Sequence, residues 1–269
     1  MERTAWEVLP GAARQAVEAH TGTVKAADTA SAGVMSHLAC ALYTEAGRFF
    51  VKGTWLDDAV AWMYRREAEV AHRAPLAPRP LWHVEAGGWL LCGYEYADGR
   101  HPDLSPRSPD IEQLLGALVT MSAVSWPESV NKKPLGKRWG AFLPGDRRSA
   151  LEGRTLAHTD ISALNMLITP DGLRMVDWAL AAPAPAWADT AFTVLRLVHA
   201  GHTPDEAEAL GRQVPAYCDA APDAVTTFAE VVHAVWADRE RADPLPHRAA
   251  LTTAARDWAA YRASRAART

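Results

Sequence analysis

Between Thr23 and Tyr96 the apolar positions fall in short runs broken by turn residues, the spacing of strands. Thr23–Ala27, His37–Tyr43, Phe49–Lys52, Leu81–Glu85 and Trp89–Tyr96 read as the strands of a five-stranded antiparallel sheet. Two helical patterns flank them. Residues 11–20 follow Pro10 and are polar on one side. A second helix begins at Asp57 and Asp58, acids suited to the positive end of a helix dipole. Beyond the turn Ala97-Asp-Gly-Arg100 and Pro102, Pro106 and Pro109 the period changes to 3.6. Ile111, Leu114, Leu115, Leu118 and Met121 form a core stripe, and Phe192, Leu195 and Val198 mark another helix. Three helices are expected to close the chain, at about 204–219, 222–241 and 246–266. The pattern thus predicts an N-terminal part (1–96) of sheet plus helix and a mainly helical part (97–269), an α+β protein.

One stretch interrupts the helical part. Met166-Leu-Ile168 and Leu173–Val176 are short apolar runs around Thr169-Pro-Asp-Gly172, which predicts a β-hairpin. A hairpin folded at Asp171 returns Asp177 to the side of Asn165, with Asp160 on the loop that enters it. Two carboxylates and a carboxamide on a short ribbon suit Mg²⁺, which takes one or two carboxylates and completes its shell with water and phosphate oxygens. The third group is then free to act as a base.

In the second helix, Val60, Met63, Tyr64 and Glu67 share one face at i, i+3, i+4 and i+7, so Glu67 points inward. An inward carboxylate needs a cation, and Lys52, at the end of an apolar strand, is the one available. The loop 28–36 between the first two strands is small and hydroxyl-rich. It reads as a hairpin loop or as a cover for phosphates.

Composition narrows the class. The chain has 269 residues, 49% hydrophobic and 22% charged, with a net charge of −4. That balance gives no basic footprint for nucleic acid. No run approaches the ~18 apolar residues of a membrane span, and the N-terminus has no apolar signal core. Cys40, Cys92 and Cys218 are odd in number and far apart, which points to the cytoplasm rather than to a disulfide framework.

The order of these parts is specific. A hydroxyl-rich loop, a strand lysine, a helix glutamate, a hinge, His158-x-Asp160-x4-Asn165 and a hairpin ending in Val-Asp177-Trp resemble the aminoglycoside phosphotransferase / choline kinase family over about residues 22–195. The resemblance implies the two-lobe protein-kinase-like fold and a small-molecule kinase, with ATP or GTP as co-substrate and Mg²⁺ as cofactor. It implies Asp160 as catalytic base and Asn165 and Asp177 as Mg²⁺ ligands. It implies Lys52, held by Glu67, on the α- and β-phosphates. Ser31, Gly33 and Ser36 would lie on the phosphate-covering loop. Glu95, Tyr96 and Ala97 would form the hinge beside the nucleotide base. Asp189 would brace the catalytic loop.

This sequence departs from the family where the nucleotide loop lacks a Gly-Gly or Gly-x-x-Asn pattern. Thr159 stands where protein kinases carry Arg. The 178–188 segment is too short for a protein-kinase activation segment, which argues against a protein substrate.

The expected partner is a small hydroxylated acceptor, antibiotic-like, with an amino alcohol or sugar as the metabolic alternative. A nucleotide-binding pseudokinase is the reading from another class. Between residues 160 and 240 there are twelve Asp or Glu, four Arg and no Lys. Solvated helix faces account for such a surplus, or it forms an acidic rim for a cationic acceptor, with Glu206, Glu208, Asp219, Asp223 and Glu230 as candidates. Asn131–Arg138 reads as a solvated basic loop, or as a contact for phosphate or an anionic substrate group. His199 and His202 read as surface histidines.

Overall fold

The computed structural model describes residues 3–30, 36–143 and 145–266. The chain divides into two compact units, one of residues 1–100 with 166–179, the other of 101–165 with 180–269. The hairpin therefore packs with the N-terminal unit, although its sequence lies inside the C-terminal part.

In the first unit, α1 (Gly11–Thr21) precedes the strands β1 (Val24–Thr29), β2 (Leu38–Thr44), β3 (Gly47–Trp55), β4 (Pro80–Ala86) and β5 (Trp89–Glu95). They form an antiparallel sheet in the order β1-β2-β3-β5-β4. Alternation sorts the side chains between its faces. Leu38, Cys40 and Leu42, Val51, and Trp89 and Leu91 are buried with Ala13 and Val17 of α1 and with Trp6 and Leu9. Lys52 follows Val51 and so emerges on the opposite face, paired in register with Cys92. The helix α2 (Ala61–Ala71) buries Tyr64 and Glu67.

The expected start of α2 at Asp57 and Asp58 is corrected. Asp58 accepts from the Val60 N–H (3.0 Å) and the Thr54 hydroxyl (2.9 Å), forming a turn that precedes the helix. The hairpin is β7 (Met166–Thr169) and β8 (Gly172–Met175), with Met166 opposite Met175. It is tied to the end of the sheet by reciprocal backbone bonds between Arg100 and Ile168 (3.2 and 2.8 Å). At Gly99 a Cβ would collide with the Ile168 carbonyl, so only glycine allows this approach.

The second unit contains α3 (Asp110–Ser122), α4 (Leu135–Arg138), α5 (Ala188–His199), α6 (Pro204–Gly211), α7 (Pro215–Cys218), α8 (Pro222–Ala242) and α9 (Pro246–Ala266). A two-stranded ladder, β6 (Thr155–Ala157) with β9 (Ala182–Ala184), carries the loop that holds Asp160. The helix expected at 204–219 is broken in two. Pro215 has no N–H and pushes Val214 into the extended region (φ −88°, ψ 115°). His202 is buried, with Nε2 at 3.0 Å from the Leu104 carbonyl, not on the surface as expected.

The core of this unit centres on Phe228, fully buried. Its ring centroid lies 5.0 Å from Phe192, 5.6 Å from Trp187, 5.8 Å from Trp139 and 6.0 Å from Trp258. Phe228→Ala leaves a cavity among four aromatic rings and is expected to cost about 3–5 kcal/mol of stability. A urea midpoint shift with unchanged slope is the reading that checks it.

Candidate functional site

Each unit presents one set of chemically loaded side chains. In the first unit Lys52 Nζ lies 2.9 Å from both carboxylate oxygens of Glu67 and 2.9 Å from Asp177 Oδ1. Lys52 and Glu67 are buried, whereas the Asp177 side chain is 40% exposed. Burial acts to lower the Lys52 pKa, but the two carboxylates, Glu67 first, outweigh it and hold the ammonium above the ordinary lysine value. Glu67 also accepts from the Trp178 backbone N–H at 3.2 Å, which ties α2 to the residue after Asp177. Asp177 adopts φ +64°, a left-handed conformation that Asp tolerates better than most residues.

In the second unit the chain leaves β6 through His158 and Thr159, both buried. Their backbone N–H groups donate to the two oxygens of Asp189 on α5, at 2.7 and 2.9 Å. Burial pushes the Asp189 carboxyl above its ordinary value, while His158 and the two N–H bonds favour the charge. Thr159 is at φ +59°, where a β-branched residue is strained by about 1–3 kcal/mol. The fold holds it there from three sides: the Asp189 bond, a Thr159 hydroxyl bond to the Leu180 carbonyl (2.6 Å) and a bond from Arg138 Nη1 to that hydroxyl (2.9 Å). The next residue is Asp160. The Asn165 amide nitrogen donates to the Asp160 carbonyl (2.9 Å) and to Asp160 Oδ2 (3.0 Å). Both bonds use the amide nitrogen and leave the side-chain carbonyl oxygen out of them.

These donors fit a hard divalent cation in kind. Asn165 offers a carbonyl oxygen and Asp177 a partly exposed carboxylate, the oxygen ligands that Mg²⁺ takes beside phosphates. Other expected site residues are engaged in the fold. Ser36 is buried beside the Tyr64 hydroxyl of α2. Ser31 and Gly33 lie outside the described residues. The Glu95 N–H donates to the Arg79 carbonyl (2.9 Å), and the Glu95 carboxylate pairs with Arg79 (2.9 Å). Tyr96 lies under the Arg48 guanidinium at 4.6 Å, and Ala97 follows it.

Of the five acids named for the alternative of an acidic rim, three are engaged in the fold, while Asp219 and Asp223 are exposed. Glu208 is buried and accepts from Trp258 Nε1 (2.8 Å) and the Tyr217 hydroxyl (3.0 Å), with Arg262 at 3.3 Å. Glu206 caps α6 through Thr203, and Glu230 pairs with Arg147 (2.9 Å). Glu208 and Asp223 line a cavity of about 580 Å³, but Arg212, Arg262 and Arg265 line it too.

The side chains that flank Asp160 are cationic instead. Arg138 bonds Thr159 on one side and the Leu180 carbonyl (2.7 Å), and Arg196 Nε donates to the Ile161 carbonyl on the other. Neither was singled out from the sequence. Arg138 sat within a run read as a solvated loop, with an anion contact as the alternative. The available signal for Arg196 was its i+7 spacing from Asp189 on the same helix.

Comparison with known proteins bears on the fold. No family model and no curated protein matches the chain. Among solved structures, an aminoglycoside phosphotransferase from Alicyclobacillus acidocaldarius superposes with a TM-score of 0.61 at 15% identity, over 99% of this chain and 98% of that one. Choline kinase LicA from Streptococcus pneumoniae gives 0.57 at 15%, over 95% and 98%. The fold is that of these small-molecule kinases. Amicoumacin kinase hAmiN, solved with AMP-PNP, Ca²⁺ and Ami, gives 0.57 at 11%, over 90% and 92%. The kinase-like fold class expected from the motifs is therefore the fold observed.

Asp189→Ala orphans two buried N–H groups and is expected to cost about 2–5 kcal/mol. It should also release Thr159 from its left-handed conformation. Amide hydrogen exchange checks this: His158 and Thr159 should lose protection more than the strands of the first unit do.

Proposed function

We propose that the protein is a small-molecule kinase that transfers the γ-phosphoryl group of ATP or GTP to a hydroxyl of an antibiotic-like acceptor, serving resistance or self-protection in the cytoplasm. The observation that carries this reading is the braced loop, with Asp160 fixed by Asn165 on a backbone held open by Asp189. The kinase-like fold and the lysine held between Glu67 and Asp177 support it.

In this reading Asp160 accepts the proton of the acceptor hydroxyl. The hydroxyl oxygen forms a bond to the γ-phosphorus as the bond to the β–γ bridging oxygen breaks, and the nucleoside diphosphate leaves with that electron pair. Phosphoryl transfer depends on positioning and charge stabilisation more than on covalent chemistry. Lys52 offers its ammonium to the nucleotide phosphates, with Glu67 keeping it oriented and charged. Asn165 and Asp177 would hold Mg²⁺, which would supply positive charge to offset the negative charge of the phosphates.

The acceptor class rests on a balance of evidence. The acid surplus of the sequence favours a cation, whereas the arginines flanking Asp160 favour an anion. A metabolic role has the choline kinase likeness behind it. Resistance is separated from metabolism by antibiotic protection of cells expressing the protein, lost in Asp160→Ala. Location in the cytoplasm is supported by three free cysteines, of which Cys40 and Cys92 are buried, with thiols pushed by burial up to about 12. No helix among the described residues is long and apolar enough to cross a membrane.

The test is a coupled ADP/GDP-release screen against hydroxylated antibiotics and metabolites. Asp160→Asn is expected to lower acceptor-dependent turnover about 10²–10⁴-fold while nucleotide still binds. Near-normal kcat would remove Asp160 from the role of base. Asp177→Ala should instead weaken Mg²⁺-nucleotide binding together with rate, and an unchanged Mg²⁺ dependence would count against it as a ligand. Nucleotide binding with no turnover across the whole panel would favour a pseudokinase.

A further inference from the structure

Three guanidinium groups are grouped in the second unit around Asp160. Arg138 and Arg196 are half-buried and bond the backbone or hydroxyl of the residues on either side of it. Arg239, on α8, is exposed. Its guanidinium lies 5.0 Å from the Trp236 ring, and that of Arg196 lies 5.8 Å from the same ring. Trp236 and Arg239 are three apart on one helix face. The indole therefore holds two cations from two helices at one place, both within cation–π range.

Such a grouping opposes itself electrostatically. Desolvation lowers all three guanidinium pKa values from the ordinary arginine value, at Arg239 although the residue as a whole is exposed. Arg239 adds to this at Arg138 and Arg196, and Arg248 adds to it at Arg239. Asp160 is the carboxylate that counters the effect at each of them. Among the described residues, no ion pair within 4.0 Å engages Arg138, Arg196 or Arg239. Three cations thus share one carboxylate. Charged groups drawn together and partly desolvated are costly unless an opposite charge joins them. An added oxyanion would meet guanidinium forks, whose geometry suits carboxylate and phosphate.

We infer that the acceptor carries an oxyanion, a carboxylate or a phosphate, beside its reactive hydroxyl, and that Arg239, Arg196 and Trp236 bind it while Arg138 and Arg196 keep Asp160 in place. This rests on the kinase reading for the meaning of "acceptor". The recognition itself is a binding property and is tested as one. Within the antibiotic-like class it selects acidic nucleoside or peptide types over polycationic aminoglycosides.

The test uses three aromatic alcohols of one skeleton: meta-hydroxymethylbenzoate, its neutral amide and the corresponding benzylamine. Binding to the full chain is measured by ligand-observed NMR, and MgADP binding by calorimetry. The acid is expected to bind at least about tenfold more tightly than the amide or the amine, the scale of one charge-assisted hydrogen bond. Arg239→Glu should abolish that preference and Arg239→Lys should retain most of it. Arg239 is exposed; its carbonyl, which accepts from Arg248 Nη1 at 3.4 Å, survives both changes, and its contact with the Trp236 ring is the cation–π one that Arg239→Lys keeps in kind. Equal or tighter binding of the amine, binding of none of the three, or a preference that survives Arg239→Glu would overturn the inference. A loss of MgADP affinity in Arg239→Glu as large as the loss for the acid would also overturn it, assigning the arginines to nucleotide phosphates. Absent turnover in the Asp160 assays would sink the kinase reading and leave these binding results standing.

Discussion

The Asp189 carboxylate, sunk in the second unit, takes two backbone N–H groups from the loop that carries Asp160. Burying a carboxylate is unfavourable unless its oxygens are filled, and here each is filled by a main-chain donor. In return the backbone at Thr159 is held in a left-handed conformation that a β-branched residue would otherwise leave. The Leu180 carbonyl and Arg138 close on the Thr159 hydroxyl from the other side. Asp160 is thus oriented by bonds to its neighbours, and its own carboxylate accepts from Asn165.

The first unit uses buried charge in a different way. Lys52 is held by Glu67 inside the sheet–helix layer and also reaches Asp177, which is far more exposed. Glu67 is the permanent partner by burial, and it bonds the Trp178 N–H as well. Asp177 is the partner that a ligand can compete for. In the proposed reaction the nucleotide phosphates would compete with Asp177 for Lys52, and Asp177 would be one of the residues that hold Mg²⁺. The ammonium stays charged throughout because Glu67 remains.

Around Asp160 the charge is of the opposite kind from what a count along the chain suggests. Among the acids of residues 160–240, Glu206 is spent on a cap, Glu230 on an ion pair and Glu208 on a buried hub. Two of the four arginines in that stretch, Arg196 and Arg239, gather with Arg138 near the loop that carries Asp160. Local electrostatics depend on which charges share a neighbourhood, and net charge per segment does not report that.

Much of the fold was legible because it follows local rules. Strand and helix periods, the Pro-Asp-Gly turn and the inward Glu67 depend on neighbours within a few residues, and the structure has the hairpin, the sheet and the Lys52–Glu67 pair where those rules put them. Errors came where one bond or one ring overrides the period: Asp58 turning before α2, Pro215 breaking a helix and His202 turning inward to the Leu104 carbonyl. The sequence by itself determined the element types, the pairing of Lys52 with an inward carboxylate and the candidate chemistry at Asp160, Asn165 and Asp177. Only the tertiary structure decided that Glu208 is a buried hub, that Asp189 holds Thr159 in strain, and that Arg138, Arg196 and Arg239 converge from α4, α5 and α8 near one carboxylate. Most of those contacts join residues tens of positions apart, Thr159 with Asp189 by 30 and Glu208 with Trp258 by 50, and no local period encodes which helix faces meet.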